Sequence, residues 1–200
     1  DTIDPKMQRL SNLKAAAQDA LERGDFDEVD GVLESVHAIE LDEAAKTAEL
    51  RAETLLLRGR VDEAYRILSA TADSFAGVDP LEPARRRIMT YERTLRSHGL
   101  RYGGDGLPRS RELLEPILTS ELRGQDRWLW AAGQNALAIS LRNQGTRTAG
   151  EDGAALLAQA VDAYRAALRV RTEDAHPVDW AMTQNNLGNA LNNQGARPAG

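Results

Sequence analysis

Apolar residues recur three and four positions apart along nearly the whole chain. The alternating Val/Ile/Thr/Tyr runs that half-buried strands require are missing. The pattern predicts helices over 5–22, 27–39, 41–57, 61–75, 82–98, 109–122, 126–143, 154–171 and 177–193. Pro5 suits a first helical turn, and Gly24 after Arg23 and Gly59 after Arg58 suit helix stops. Gly77-Val78-Asp79-Pro80 breaks the chain, and Gly-rich loops are expected over 99–107 and 145–153. Pro116 should kink or locally disrupt the 109–122 helix, because its ring removes a backbone donor and clashes with the preceding turn. The expectation is an all-α protein of nine helices in antiparallel pairs, the last one unpaired.

Two echoes run through this pattern. Trp130-Ala131-Ala132-Gly133-Gln134-Asn135-Ala136-Leu137 returns fifty residues later as Trp180-Ala181-Met182-Thr183-Gln184-Asn185-Asn186-Leu187. Both segments run on to Asn-Gln-Gly-x-Arg-x-Ala-Gly, and twelve of 21 aligned positions are identical. In the first half, Arg23-Gly24-Asp25-Phe26-Asp27-Glu28-Val29 matches Arg58-Gly59-Arg60-Val61-Asp62-Glu63-Ala64, 35 residues on. Periods of this size mark stacked units that bury their apolar faces against one another.

These residues resemble the tetratricopeptide repeat, a helix–turn–helix unit of about 34 residues. Ala17, Ala52, Ala138 and Gly188 match its small residue in helix A, and Gly24, Gly59, Gly145 and Gly195 match its turn. Val29, Ala64 and Ala160 match the residue that opens helix B, and Ala160 to Leu168 resembles a whole helix B. The match covers nearly the whole chain, most closely at 130–195 and least at 81–125. The later units look like the long-repeat bacterial variety, on the residues Asp-Trp-Ala-x-Thr-Gln-Asn-Asn-Leu-Gly-Asn-Ala-Leu at 179–191. Relative to the usual unit, ten residues are added between Gly145 and Ala160 and six before Trp180; longer helices and a longer loop account for both. The resemblance implies a right-handed α-solenoid. Residues 1–80 would form two near-standard helix pairs, 81–125 a divergent pair, and 126–200 the long repeats, ending after a helix A. A chain that starts at Asp1 and stops inside a repeat reads as a piece of a longer bacterial protein.

Composition narrows the function. The formal net charge is −6 and aromatics make up 4% of residues. A general nucleic-acid binder needs a basic face to neutralise phosphates, so nucleic acid is not an expected partner. No apolar run approaches the roughly 20 residues that cross a bilayer, so no membrane partner is expected either. Without cysteine there is no disulfide framework, which suits a cytoplasmic location.

In tetratricopeptide proteins the A helices line a concave face. The corresponding positions are Asn185, Asn189 and Asn192 in the last helix and Asn135, Ile139 and Arg142 in the one before. Aligning Gly99 with Gly145 adds Met89, Arg93 and Arg96. Spacings of three and four put each set on one helical face in any case. An Asn amide both donates and accepts, which suits the backbone of an extended peptide, and Arg suits carboxylates. The candidate partner-binding residues are therefore Arg93, Arg96, Asn135, Arg142, Asn185, Asn189 and Asn192, facing an extended or acidic peptide. The simpler reading makes some of these Asn side chains turn caps, bridges between helices or solvated positions. Trp130 and Trp180 read as buried anchors between repeats, and Tyr164 as core.

No catalytic, cofactor or metal residue is expected. Asp25 to Gly31 looks like a calcium loop at first sight, but Val29, Asp30 and Val36 stand where an acid, Gly and Glu are required. Gly103-Gly104-Asp105-Gly106 lacks the Lys-Ser/Thr of a phosphate loop, and His37, His98 and His176 lack metal-ligand spacing. Two functions stand side by side. One is a non-catalytic protein–protein interaction scaffold that binds its partner on the A-helix face. The other is a self-association module of a larger signalling protein, a homodimer formed through the last helix, where Leu187 and Leu191 share a face.

Overall fold

The computed structural model describes residues 5–76 and 82–196; the expected break at 77–80 and the last four residues of the second echo lie outside them. Among the described residues there are nine α-helices, one 3-10 turn and no strand. The chain is all-α, as its periodicity predicts.

α1 (Pro5–Arg23) ends at Gly24, whose φ of 75° is the left-handed conformation that a residue without Cβ adopts at no steric cost. The Asp25 side chain then accepts from the Glu28 amide and caps α2. α2 runs unbroken from Phe26 to Leu57, 32 residues, where two helices with a break at Glu40 were expected. Nothing between Ala38 and Ala44 can stop a helix: there is no Pro, no Gly and no residue in a left-handed conformation. The N-terminal half of α2 pairs with α1, and its C-terminal half packs on α3 (Val61–Asp73) and α4 (Glu82–Tyr102). Ala52, Leu55, Leu56, Leu68, Tyr91 and Leu95 close one core there. Burying each Leu contributes roughly 1.5–3 kcal/mol relative to leaving it in water.

The expected loop at 99–107 shrinks to Gly103-Gly104-Asp105. Gly99 lies inside α4 because α4 and α5 (Gly106–Glu112) cross there at backbone contact: a Cβ on Gly99 would sit 2.6 Å from the Leu107 nitrogen. Pro116 acts as expected. The 109–122 segment divides into the end of α5, a 3-10 turn at Glu115–Ile117, and α6 (Ser120–Gln125), capped by Thr119.

The loop expected at 145–153 shrinks in the same way. α7 (Arg127–Arg147) and α8 (Gly150–Leu168) are joined by Thr148 and Ala149 alone. Gly145 is therefore not a turn residue. It lies in α7, and a Cβ on it would stand 2.9 Å from the Leu157 side chain and 3.0 Å from the Gly153 carbonyl oxygen. The residues added to this unit lengthen helices. α9 (Pro177–Gly195) follows, with Gly195 as its last helical residue. Ala138, Val161, Tyr164 and Ala190 form a second core that joins α7, α8 and α9. Packed pairs are mostly near neighbours along the chain, with further contacts of α4 and α9 to α7.

Of the two Trp residues in the echo, Trp130 is buried and Trp180 is half-buried, so the expected symmetrical anchoring fails at the second. Tyr164 is fully buried, as expected. Trp128 is half-buried in a staple. Its ring lies 3.9 Å from that of His176 and 5.0 Å from the Arg171 guanidinium. Arg171, in the connector after α8, in turn donates to Thr183 Oγ1 at 3.2 Å and lies 3.6 Å from Asp179, tying the start of α9 to Trp128 of α7.

Candidate functional site

The seven residues expected to line one face distribute over α4, α7 and α9, and they behave differently. Arg93 is exposed on α4. One turn on, Arg96 is mostly buried, and its Nε donates to Glu92 Oε1 at 2.7 Å. The four-residue spacing of this pair is the one that puts side chains on one helical face. Glu92 is only 1% exposed. Burial raises its pKa above the usual carboxylate range, and Arg96 opposes that shift by hydrogen bond and charge. Toward α7, Ser140 Oγ stands 3.5 Å from the same carboxylate oxygen and 2.9 Å from Ser110 Oγ, which donates to the Leu107 carbonyl. A buried polar chain thus joins α4, α5 and α7.

On α7, Asn135 and Arg142 lie two turns apart on the same side. Arg142 is half-buried and has no ion pair among the described residues. Tyr164 of α8 lies in the core that joins α7, α8 and α9. It is 0% exposed, and its hydroxyl has no hydrogen-bond partner among the described residues. Burial pushes its pKa up to about 12, while the positive charges of Arg142 and Arg96 pull it down. Both guanidinium groups therefore act on one hydroxyl. The Asn135 Oδ1 is likewise buried and without a partner among the described residues. An unpartnered buried polar atom costs about 1–3 kcal/mol, so both stand out against the general pairing of buried polar groups.

Arg96 and Arg142 thus both bear electrostatically on Tyr164, and Asn135 lies on the same side of α7 as Arg142. The α9 residues do not join this group to the same degree. Asn185, Asn189 and Asn192 are all exposed and form a separate stripe along α9. Sequence reasoning missed Glu92, Ser110 and Ser140, and took Tyr164 as core without its hydroxyl. The Glu92–Arg96 spacing was a readable signal, and the serines offered none.

His98, expected beside a helix end, is four residues inside α4, and its Nε2 lies 3.0 Å from the Leu56 carbonyl oxygen at the end of α2. The carbonyl already accepts from the Gly59 amide, so the His98 contact adds a second partner and holds α4 to α2. Among the described residues no group of three His, Asp or Glu side chains could hold a metal, and no helix is long and apolar enough to cross a membrane. Comparison of the chain with protein-family models, with curated proteins and with solved structures gives no match.

Proposed function

We propose that this chain is a tetratricopeptide-like α-solenoid that acts as a non-catalytic interaction scaffold, taking an extended, acidic peptide segment of a partner protein along the face shared by α4, α7 and α9. The observation that carries this reading is Arg142, half-buried on α7 with no ion pair among the described residues, on the same helical side as the buried and unpartnered Asn135 Oδ1. A peptide carboxylate at Arg142 would meet a guanidinium that no carboxylate among the described residues already pairs with, while Glu92 holds Arg96 on the neighbouring α4. Charge-assisted hydrogen bonds of this kind are the stronger ones. The exposed Asn stripe of α9 would continue the track with donors and acceptors for peptide backbone. Packing between near neighbours in the chain and the fifty-residue echo support the solenoid.

Selection of a random peptide display library against the whole chain tests the reading. Acidic sequences should be enriched, and their binding should fall about tenfold, some 1.4 kcal/mol, in Arg142→Ala and again in Asn185→Ala with Asn189→Ala. Binding that survives all three substitutions would overturn it. The self-association alternative depends on the outer face of α9, where Leu191 is exposed.

A further inference from the structure

α5 and α8 both pack on α7 but scarcely on each other. Pro116 is the reason. α5 ends at Glu112, and the chain turns through the 3-10 segment at Glu115–Ile117, whereas α8 runs unbroken for 19 residues. Between the bent wall and the long one, a groove of about 620 Å³ opens over α7. Volumes of this order hold small ligands. Leu137 and Leu141 of α7 form its floor, Leu118 lines one wall, and Ala163 and Ala166 line the other. Register gives the groove two unlike ends. Arg111 reaches Gln144, while Leu118 would stand 3.3 Å from a Cβ on Gly133, so the first wall runs antiparallel to α7. Gly145 lies against Gly153, and Ala138 packs with Val161 and Tyr164, so α8 runs antiparallel to α7 as well. Arg111 and Gln159 therefore stand at the Leu141 end, and Leu118 and Ala166 at the Gln134 end, about 10 Å away.

Arg111 is the group that singles out this groove. It is half-buried, and burial lowers its pKa below the ordinary guanidinium value, with the charge of Glu112 opposing. One of its nitrogens donates to the Gln144 side chain. Among the described residues no carboxylate pairs with it, although Glu112 is next to it in the chain. Glu112 is taken by Arg109, which also holds Asp62. A guanidinium drawn out of water without an anion is costly, and its remaining donors suit the two oxygens of a carboxylate. A dianion is a poorer fit. Glu112, Glu115 and Asp162 also line the groove, so a second negative charge would be repelled.

We infer that this groove binds a small amphiphilic monocarboxylate, its head paired with Arg111 and its apolar body lying along Leu137, Ala163 and Leu118. Both walls and the floor are helices of this chain that already pack together, so the site is whole without a further element. The floor residues lie about a third of a turn round α7 from Asn135 and Arg142. The groove is thus distinct from the proposed peptide face, and either can fail alone.

Isothermal titration calorimetry of octanoate into the whole chain tests this, with octanol and octylammonium as controls for the head group. Octanoate should bind one-to-one and about tenfold more tightly than octanol, the difference being the charge-assisted pair with Arg111. Octylammonium should not bind. Arg111→Gln should bring octanoate down to the level of octanol and leave octanol unchanged. Ala166→Trp, at a half-buried position outside the core clusters, should fill the apolar end and weaken both. In the unaltered chain, the amide resonances that octanoate shifts should centre on Arg111, Leu118, Leu137 and Ala166, a readout that does not depend on either variant folding. The inference is overturned if octylammonium binds as well as octanoate, if Arg111→Gln leaves octanoate binding unchanged, or if the shifts centre elsewhere. It is overturned equally if a peptide with a free C-terminal Leu binds far more tightly than octanoate and loses this on amidation, since the groove would then take a protein terminus.

Discussion

The α1–α2 and α7–α8 hairpins are similar in design and opposite in what holds them. α1 buries only Ala17 and Ala20, while α7 buries eight residues, among them Trp130, Ala138, Leu141 and Gly145. The first hairpin is laced by charge. Lys6 reaches Asp42 at 2.7 Å and Glu43 at 2.6 Å, and Lys14 reaches Glu40 at 2.7 Å. Arg87 of α4 joins the same group, pairing with Asp42 and with Glu49. The second hairpin is close-packed on small residues: Ala160, Ala163 and Ala167 of α8 are buried, and Gly145 of α7 lies against Leu157 and Gly153. Exposed ion pairs contribute about 0–1 kcal/mol each, whereas a buried Leu contributes several times that. Most of the stability should therefore reside where small residues let helices approach, and the first hairpin should open earliest. Its exposed Phe26 and Leu33 fit that picture, since neither is used in packing.

The largest expected effects break this comparison at single side chains. Leu157→Ala, at a fully buried position, should cost about 2–5 kcal/mol, the range for core Leu truncation. Leu33→Ala, at a residue 47% exposed, should stay within about 0.5 kcal/mol of the parent. Urea unfolding monitored by circular dichroism gives both values, and equal losses would mean that the two hairpins are held alike. Next in size is Gly145→Val. Its Cβ would stand 2.9 Å from Leu157 and 3.0 Å from a backbone oxygen that cannot move aside, so a loss of roughly 1–3 kcal/mol is expected from overpacking.

The same glycine marks how far the sequence could be read. Helices, their order and the turns at Gly24 and Gly59 were legible, because a capping pattern before a new apolar period has one good explanation. Gly99 and Gly145 were misread as loop residues. A glycine that ends a helix and a glycine against which another helix packs look the same in one dimension, and only the partner's position separates them. The division of α2 at Glu40 was misplaced, because no residue there breaks the helix. At the candidate site, the faces of Arg96 and Arg142 followed from helical spacing. The unpartnered hydroxyl of Tyr164 did not, because an aromatic at a core spacing carries no sign that its hydroxyl will lack a partner.

Gly31→Ala sharpens the comparison from the other side. Gly31 lies in α2, and a Cβ there meets nothing within 4 Å. Without a packing reason for the glycine, substitution should stabilise the chain by up to about 1 kcal/mol through helix propensity alone. A rise in Tm of a few degrees is the expected readout. A fall would show that α2 at this point is packed against something, and that the first hairpin is tighter than its exposed face suggests.

The smallest effect separates the two regions by pH. Asp42 has its pKa lowered from 3.8 to about 2, chiefly by the hydrogen bond from Lys6 and then by that from Lys46. A carboxylate whose folded pKa is depressed contributes stability that is fully present above its unfolded pKa and is lost as pH falls toward the folded one. The first hairpin should therefore weaken between about pH 4 and pH 2. Because the side chain is 34% exposed, solvent screening keeps the contribution below about 1 kcal/mol. Glu92, beside the second region, has the opposite sign. Burial raises its folded pKa, so the folded state binds the proton more tightly, and acidification toward its unfolded pKa of about 4.5 adds stability rather than removing it. Asp42→Asn should flatten the low-pH limb of the stability curve, and Glu92→Gln should flatten the limb above it. Amide hydrogen exchange at pH 5 and below, read separately for α1 and α7, should show protection falling first in α1. Loss of protection in both helices together would mean that the charged hairpin and the close-packed one unfold as a single unit.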